Sequence, residues 1–207
     1  MTTEPFEDKD VRYAYGSIHE FFDNYSLKEA LKETEGIIKA ASSDKAWKKD
    51  YPYHLIYFME KLEELSRAAL TIHYNYSSRD ECIVEATSES GQPDLSKQQQ
   101  FVIRNRFSNV WNSIPRNLSA AQYYNPYKAI KKFATRMAEH EWKKTFKEFT
   151  EYALSNSAID DAYPPYNILS IHKHLLKLIE ACHLLEVRSN IKKAEPKAKK
   201  KRQKAKR

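Results

Sequence analysis

Apolar positions along this chain recur at helical spacing, and the clearest run lies between Pro52 and Tyr76. Leu55, Phe58, Met59, Leu62, Leu65, Ala69 and Ile72 keep one face over successive turns, which predicts the central helix of a bundle. Upstream, Val11, Tyr15, Ile18 and Phe22 mark a helix over Asp8–Asp23. Ser26 with Glu29 three residues on has the form of a capping box, and Leu27, Ala30, Leu31, Thr34, Ile37, Ile38 and Ala41 follow it as a stripe. Downstream, Asn125 is a suitable N-cap and Pro126 suits the first helical position. Ala129, Ile130, Phe133, Ala134 and Met137 form one stripe there, and Trp142, Phe146, Phe149 and Ala153 a second. The step from Met137 to Trp142 turns the second stripe about 140° from the first, so two helices are expected to meet near Glu139–Glu141.

Two further helices complete the pattern. One begins at Ser96, carries Ile103, Phe107, Val110, Trp111 and Ile114, and stops at Pro115. The last opens at Pro164-Pro165, carries Ile168, Ile171, Leu175, Leu178, Ile179, Cys182 and Leu185, and loses its apolar face near Val187. Residues 77–97 break the period and predict a long internal loop, and Arg116–Tyr124 is a polar, aromatic connection. The fold class expected is all-α: one helical domain over 1–187, a bundle of six or seven helices, with a separate tail over 188–207. Three glycines in 207 residues agree with this, because all-β folds need many turns.

Charge divides the chain at the same place. Residues 188–207 hold eleven Lys/Arg and one acid, whereas residues 1–187 carry a balance of −3, so the overall +7 belongs to the tail. A segment with so many cations and almost nothing apolar cannot offset its own ordering entropy and is expected to be disordered when free. Two cysteines, Cys82 and Cys182, suggest no disulfide framework, which fits a reducing compartment. The N-terminus lacks the positive start and apolar run of a secretory signal, and no apolar run approaches a membrane span. A soluble cytoplasmic protein is expected, without a cofactor.

The basic tail is the strongest functional handle. Lys192, Lys193, Lys197, Lys199, Lys200, Lys201, Arg202, Lys204, Lys206 and Arg207 are the residue types that attract phosphates regardless of base sequence. They predict a non-enzymatic binding or adaptor protein that associates non-specifically with nucleic acid. Anionic lipid is a second target for such a tail, although no aromatic or acyl anchor accompanies it. Arg104, Arg106, Arg116, Lys128, Lys131 and Lys132 form a second, local basic group. An alternative with no nucleic-acid role is a helical protein–protein module. No motif reveals oligomeric state.

Two pairs carry alternative chemistry. Five residues separate Arg67 and His73 near the end of the long helix. The spacing resembles that of small metal-independent ribonucleases of the HEPN type, which carry an arginine four to six residues before a histidine. That resemblance implies a histidine acting on the 2′-hydroxyl or leaving oxygen and an arginine holding the phosphate. Ala68 departs from the polar residue usual after the arginine in that family. The second pair, Glu180 and His183, has the Glu-x-x-His spacing that aims two ligands at one metal in di-iron bundles. Such sites need a second copy of the motif, and the sequence holds none. His172 and His174, two apart, face different sides of the last helix, the first at the edge of the core and the second in solvent.

Overall fold

Helices make up all the regular structure of the described residues, which in this computed structural model are 7–49, 51–75, 114–159 and 167–204, with side chains described only as far as Ser189. In chain order they are α1 (Glu7–Asn24), α2 (Leu27–Ala41), α3 (Pro52–Asn75), α4 (Ala120–Tyr124), α5 (Tyr127–Ala134), α6 (Glu139–Leu154) and α7 (Ile168–Lys204). The all-α bundle expected from the apolar spacing is the fold observed. Among the described residues, no helix is long and apolar enough to cross a membrane. The loop expected over 77–97, the helix expected from Ser96, and Arg104 and Arg106 lie outside the described residues.

Helix ends follow their local chemistry. The Ser26 hydroxyl accepts the amide of Glu29 at 3.3 Å, and the Glu29 carboxylate accepts the Ser26 amide at 2.9 Å, so the capping box forms as expected. The Ser26 hydroxyl also donates to the Glu29 carboxylate at 2.7 Å, and that bond, followed by the one from the Ser26 amide, holds the Glu29 carboxyl below its ordinary range. Asn125 does not cap a helix N-terminus. It is the C-cap of α4, and Pro126 leads into α5 with no side-chain cap. The two downstream stripes do belong to two helices, with the corner at residues 135–138, slightly before the expected point. Phe133 and Trp142 stack across that corner with ring centroids 4.0 Å apart, and the indole N–H donates to the Phe133 carbonyl. Asn167, whose side-chain oxygen accepts the Ser170 amide, sits at the start of α7. Pro164-Pro165, expected to open that helix, lies outside the described residues.

The helices share one core. α3 lies antiparallel to α1: Phe21 and Tyr25 of α1 pack on Phe58, and Lys61 of α3 reaches Glu20 at 2.8 Å. α7 is also antiparallel to α1, with Phe22 against His183 and His19 bonded to Glu186. Leu55, Leu62, Leu65 and Ala69 are each buried, as the stripe on α3 predicts. α7 is enclosed more fully, because every residue from Leu178 to Leu185 is buried on all sides of the helix. Its backbone stays helical beyond Val187, where the apolar spacing ends, and runs to Lys204. Lysine, alanine, arginine and glutamine favour helix intrinsically, so continuation needs no apolar face. Pro196 interrupts that stretch by one bond, having no N–H to give the carbonyl of Lys192.

Candidate functional site

Arg67 stands on α3 between two hollows. One, of about 350 Å³, lies between α3 and α6 with Trp142, Phe146 and Leu70 as its apolar walls and Glu63, Glu139 and Lys143 at its rim. The other, of about 470 Å³, lies between α3 and α1 and is lined by Tyr13, Ser17 and Thr71 among mainly polar groups. The guanidinium is bonded to Glu63 at 3.1 Å and lies 3.9 Å from Glu139. His73 lines neither hollow; its ring meets that of Tyr74 at 5.0 Å. Six positions along a helix turn side chains about 120° apart and about 9 Å along the axis. Neither of these two hollows is lined by both side chains.

Glu180 and His183 are both buried, but they face different neighbours. The Glu180 carboxylate accepts four hydrogen bonds from the segment before α4. Its Oε1 takes the Arg116 amide at 2.7 Å and the Asn117 side-chain amide at 2.8 Å. Its Oε2 takes the Asn117 amide at 2.8 Å and the Leu118 amide at 3.0 Å. Three consecutive backbone N–H groups thus converge on one anion, the geometry of a backbone nest. His183 instead packs its ring edge-on against Phe22 of α1, with centroids 5.0 Å apart. Among the described residues no group of three or more His, Cys, Asp or Glu is placed to hold a metal ion. Glu180 has a structural task that its spacing to His183 does not reveal.

Two turns further along α7, Arg188 completes the hold on α4. It is 5% exposed, and its guanidinium donates to the Tyr123 carbonyl at 2.6 Å and the Tyr124 carbonyl at 3.2 Å while lying over the Tyr123 ring. The last carbonyls of a helix lack intrahelical partners and carry the negative end of its dipole, so a cation belongs there. α7 thus presents an anion to the amides before α4 and a cation to the carbonyls at its end. Counting Arg188 among the free cations of the tail is therefore corrected: charge alone does not separate a helix-capping arginine from a solvated one. Burial of the Tyr123 ring pushes its phenol above the ordinary value.

Beyond Ser189, ten Lys/Arg remain. Lys192, Lys193, Lys197, Lys199, Lys200, Lys201, Arg202 and Lys204 lie on the helical continuation of α7; Lys206 and Arg207 lie outside the described residues. α5 begins three residues after the Tyr124 carbonyl that Arg188 holds. Its Lys128, Lys131 and Lys132 are exposed, as is Arg116, and the helix carries no acid. No protein-family model, curated protein or solved structure matches the chain.

Proposed function

We propose that this is a non-enzymatic helical binding protein of the cytoplasm that associates with nucleic acid through the basic end of α7. The observation that supports it best is the placement of charge. Ten cations follow the last anchored residues of α7, and the exposed lysines of α5 belong to the element beside that exit. The rest of the chain up to Val187 has a balance of −3, so attraction to phosphate is concentrated at this end. Lysines on a basic tail neutralise phosphates without reading base edges, so affinity is set by salt and sequence preference is small.

The test is a salt titration of full-length protein and of a deletion of residues 190–207 on the same duplex. The deletion keeps Arg188, which belongs to the packed body. If about half of the cations engage phosphates, log K against log salt has a slope near −5 for the full chain. The truncated protein should keep its helical signal from α1–α6 and lose most of the affinity and slope. Equal affinity and slope in both proteins would overturn the reading and move attention to Arg116, Lys128, Lys131 and Lys132.

A further inference from the structure

The first turns of α3 carry an aromatic group that the core does not use. Tyr51 is 74% exposed and Tyr53 66% exposed, and His54 and Ile56 are exposed beside them. The rings form a continuous series: Tyr51 to His54 at 6.2 Å, His54 to Tyr53 at 5.6 Å, and Tyr53 to Tyr57 at 6.1 Å with planes only 22° apart. Exposing this much ring surface forgoes the large gain that aromatic burial offers.

The series is fixed in place from both sides. Trp47 packs against the core, and its amide donates to the Ala153 carbonyl at 2.7 Å, so the connector before α3 is tied to the end of α6. At the other end Lys61 lies 5.8 Å over the Tyr57 ring and is itself held by Glu20 and Glu64. Lys45 and Lys48 are exposed on the connector, and Lys49 is engaged with Glu33. The first turn of α3 carries no acidic side chain; Asp44 is an exposed acid beside Lys45, and Asp50, next to Tyr51 in sequence, lies outside the described residues.

We infer that this aromatic series is a stacking platform for the unpaired bases of a single-stranded nucleic acid, with Lys45 and Lys48 beside the backbone phosphates. Every base has a π-face, so tyrosine and histidine rings bind single strands with little sequence preference, whereas the bases of a duplex are already stacked. Exposed lysines before the platform, and no carboxylate in the first turn of the helix that bears it, complement a polyanion. The inference rests on the nucleic-acid reading above only for the kind of polymer. The platform lies beside the C-terminal end of α1, where Tyr25 meets Phe58, while α7 leaves the core toward the opposite end of α1. Two separate contacts are therefore involved.

The experiment is fluorescence anisotropy of the full chain with a labelled oligo(dT) strand and with a labelled duplex of equal length, at two salt concentrations. Tyr51→Ser combined with Tyr53→Ser should weaken binding of the single strand by about tenfold or more and leave the duplex unchanged, because stacking is lost and phosphate attraction is kept. Tyr53→Trp, which keeps a ring, should retain single-strand affinity and control for the fold, as should an unchanged melting curve for the double variant. Deleting residues 190–207 should weaken both ligands. Single-strand affinity within twofold of wild type in the double variant, or equal loss on both ligands, overturns the platform; a surface meant for a protein partner gives the first of these results. Failure of the tail reading is separate, because it appears as an unchanged duplex affinity in the truncated protein.

Discussion

Glu180→Gln tests the clamp on α4 with the least change in shape. Glutamine keeps the volume but offers one oxygen where the segment 116–118 presents four N–H donors. Two donors keep an acceptor, without charge assistance, and two now face an NH2 group. Hydrogen bonds to charged groups contribute about 1.5–3 kcal/mol each, so two lost bonds give roughly 3–6 kcal/mol before relaxation. Arg116 and Asn117 are at the surface and their amides can turn toward water, which lowers the expected loss to about 2–4 kcal/mol. Urea unfolding at unchanged m-value measures that loss. Hydrogen exchange locates it: the amides of Arg116, Asn117 and Leu118 should exchange faster in the variant, while those within α3 keep their order of protection. Arg188→Met should release the other end of the same segment. Because both residues restrain α4, the double variant should lose less than the two single losses together, by at least about 0.5 kcal/mol. A loss under about 0.5 kcal/mol for Glu180→Gln, with the three amides unchanged, would refute the claim that this carboxylate anchors the segment.

Two further outcomes are expected. Leu62, 1% exposed on α3, should cost about 2–5 kcal/mol when replaced by alanine, measured by the same unfolding curves, and a near-neutral change would mean that α3 does not form the core. His172 is partly buried, and desolvation holds its imidazole below the ordinary value. The unfolded chain then binds the proton first, so this contribution is complete above about pH 6.5 and is lost as pH falls below it. Melting temperatures from pH 7.5 to 5.5 should decline less in His172→Leu than in wild type, and parallel curves would rule out this histidine as a source of acid sensitivity.

The helices were largely legible because each states its own boundaries locally. Ser26 and Glu29 are three residues apart, and the stripe on α3 repeats within a single element, so both signals survive without knowledge of the rest of the chain. The misplacements occur where local signals compete. Asn125 and Pro126 form a credible helix start, yet Ser119 and Gln122 make a capping box just upstream, and Asn125 ends the short helix it opens. A five-residue helix has no apolar period to detect, so α4 reads in the sequence only as a connection. The apolar stripe ends at Val187, but the helical backbone goes on to Lys204 through residue types that favour helix intrinsically.

The polar sites were legible in residue type and opaque in role, for a geometric reason. Spacing within one helix says which side chains share a face, but it does not say what stands opposite. Glu180 and His183 share a spacing used by metal ligands, yet the partners that decide the matter are 62 to 64 residues away in sequence. Arg67 and His73 have the spacing of a ribonuclease pair, and spacing does not say that the carboxylates of Glu63 and Glu139 stand beside the arginine. Arg188 is the sharpest case. By composition it is the first residue of a basic tail, and by position it is the last cap of a helix that begins 68 residues earlier. One contact, guanidinium to carbonyl, moves the boundary between body and tail by two residues, and it decides where a truncation should fall. A deletion that began at Arg188 would release α4 as well as the tail, and its loss of binding would then have two causes. Beginning at residue 190 leaves the clamp intact, so any change in salt slope belongs to the ten cations beyond it.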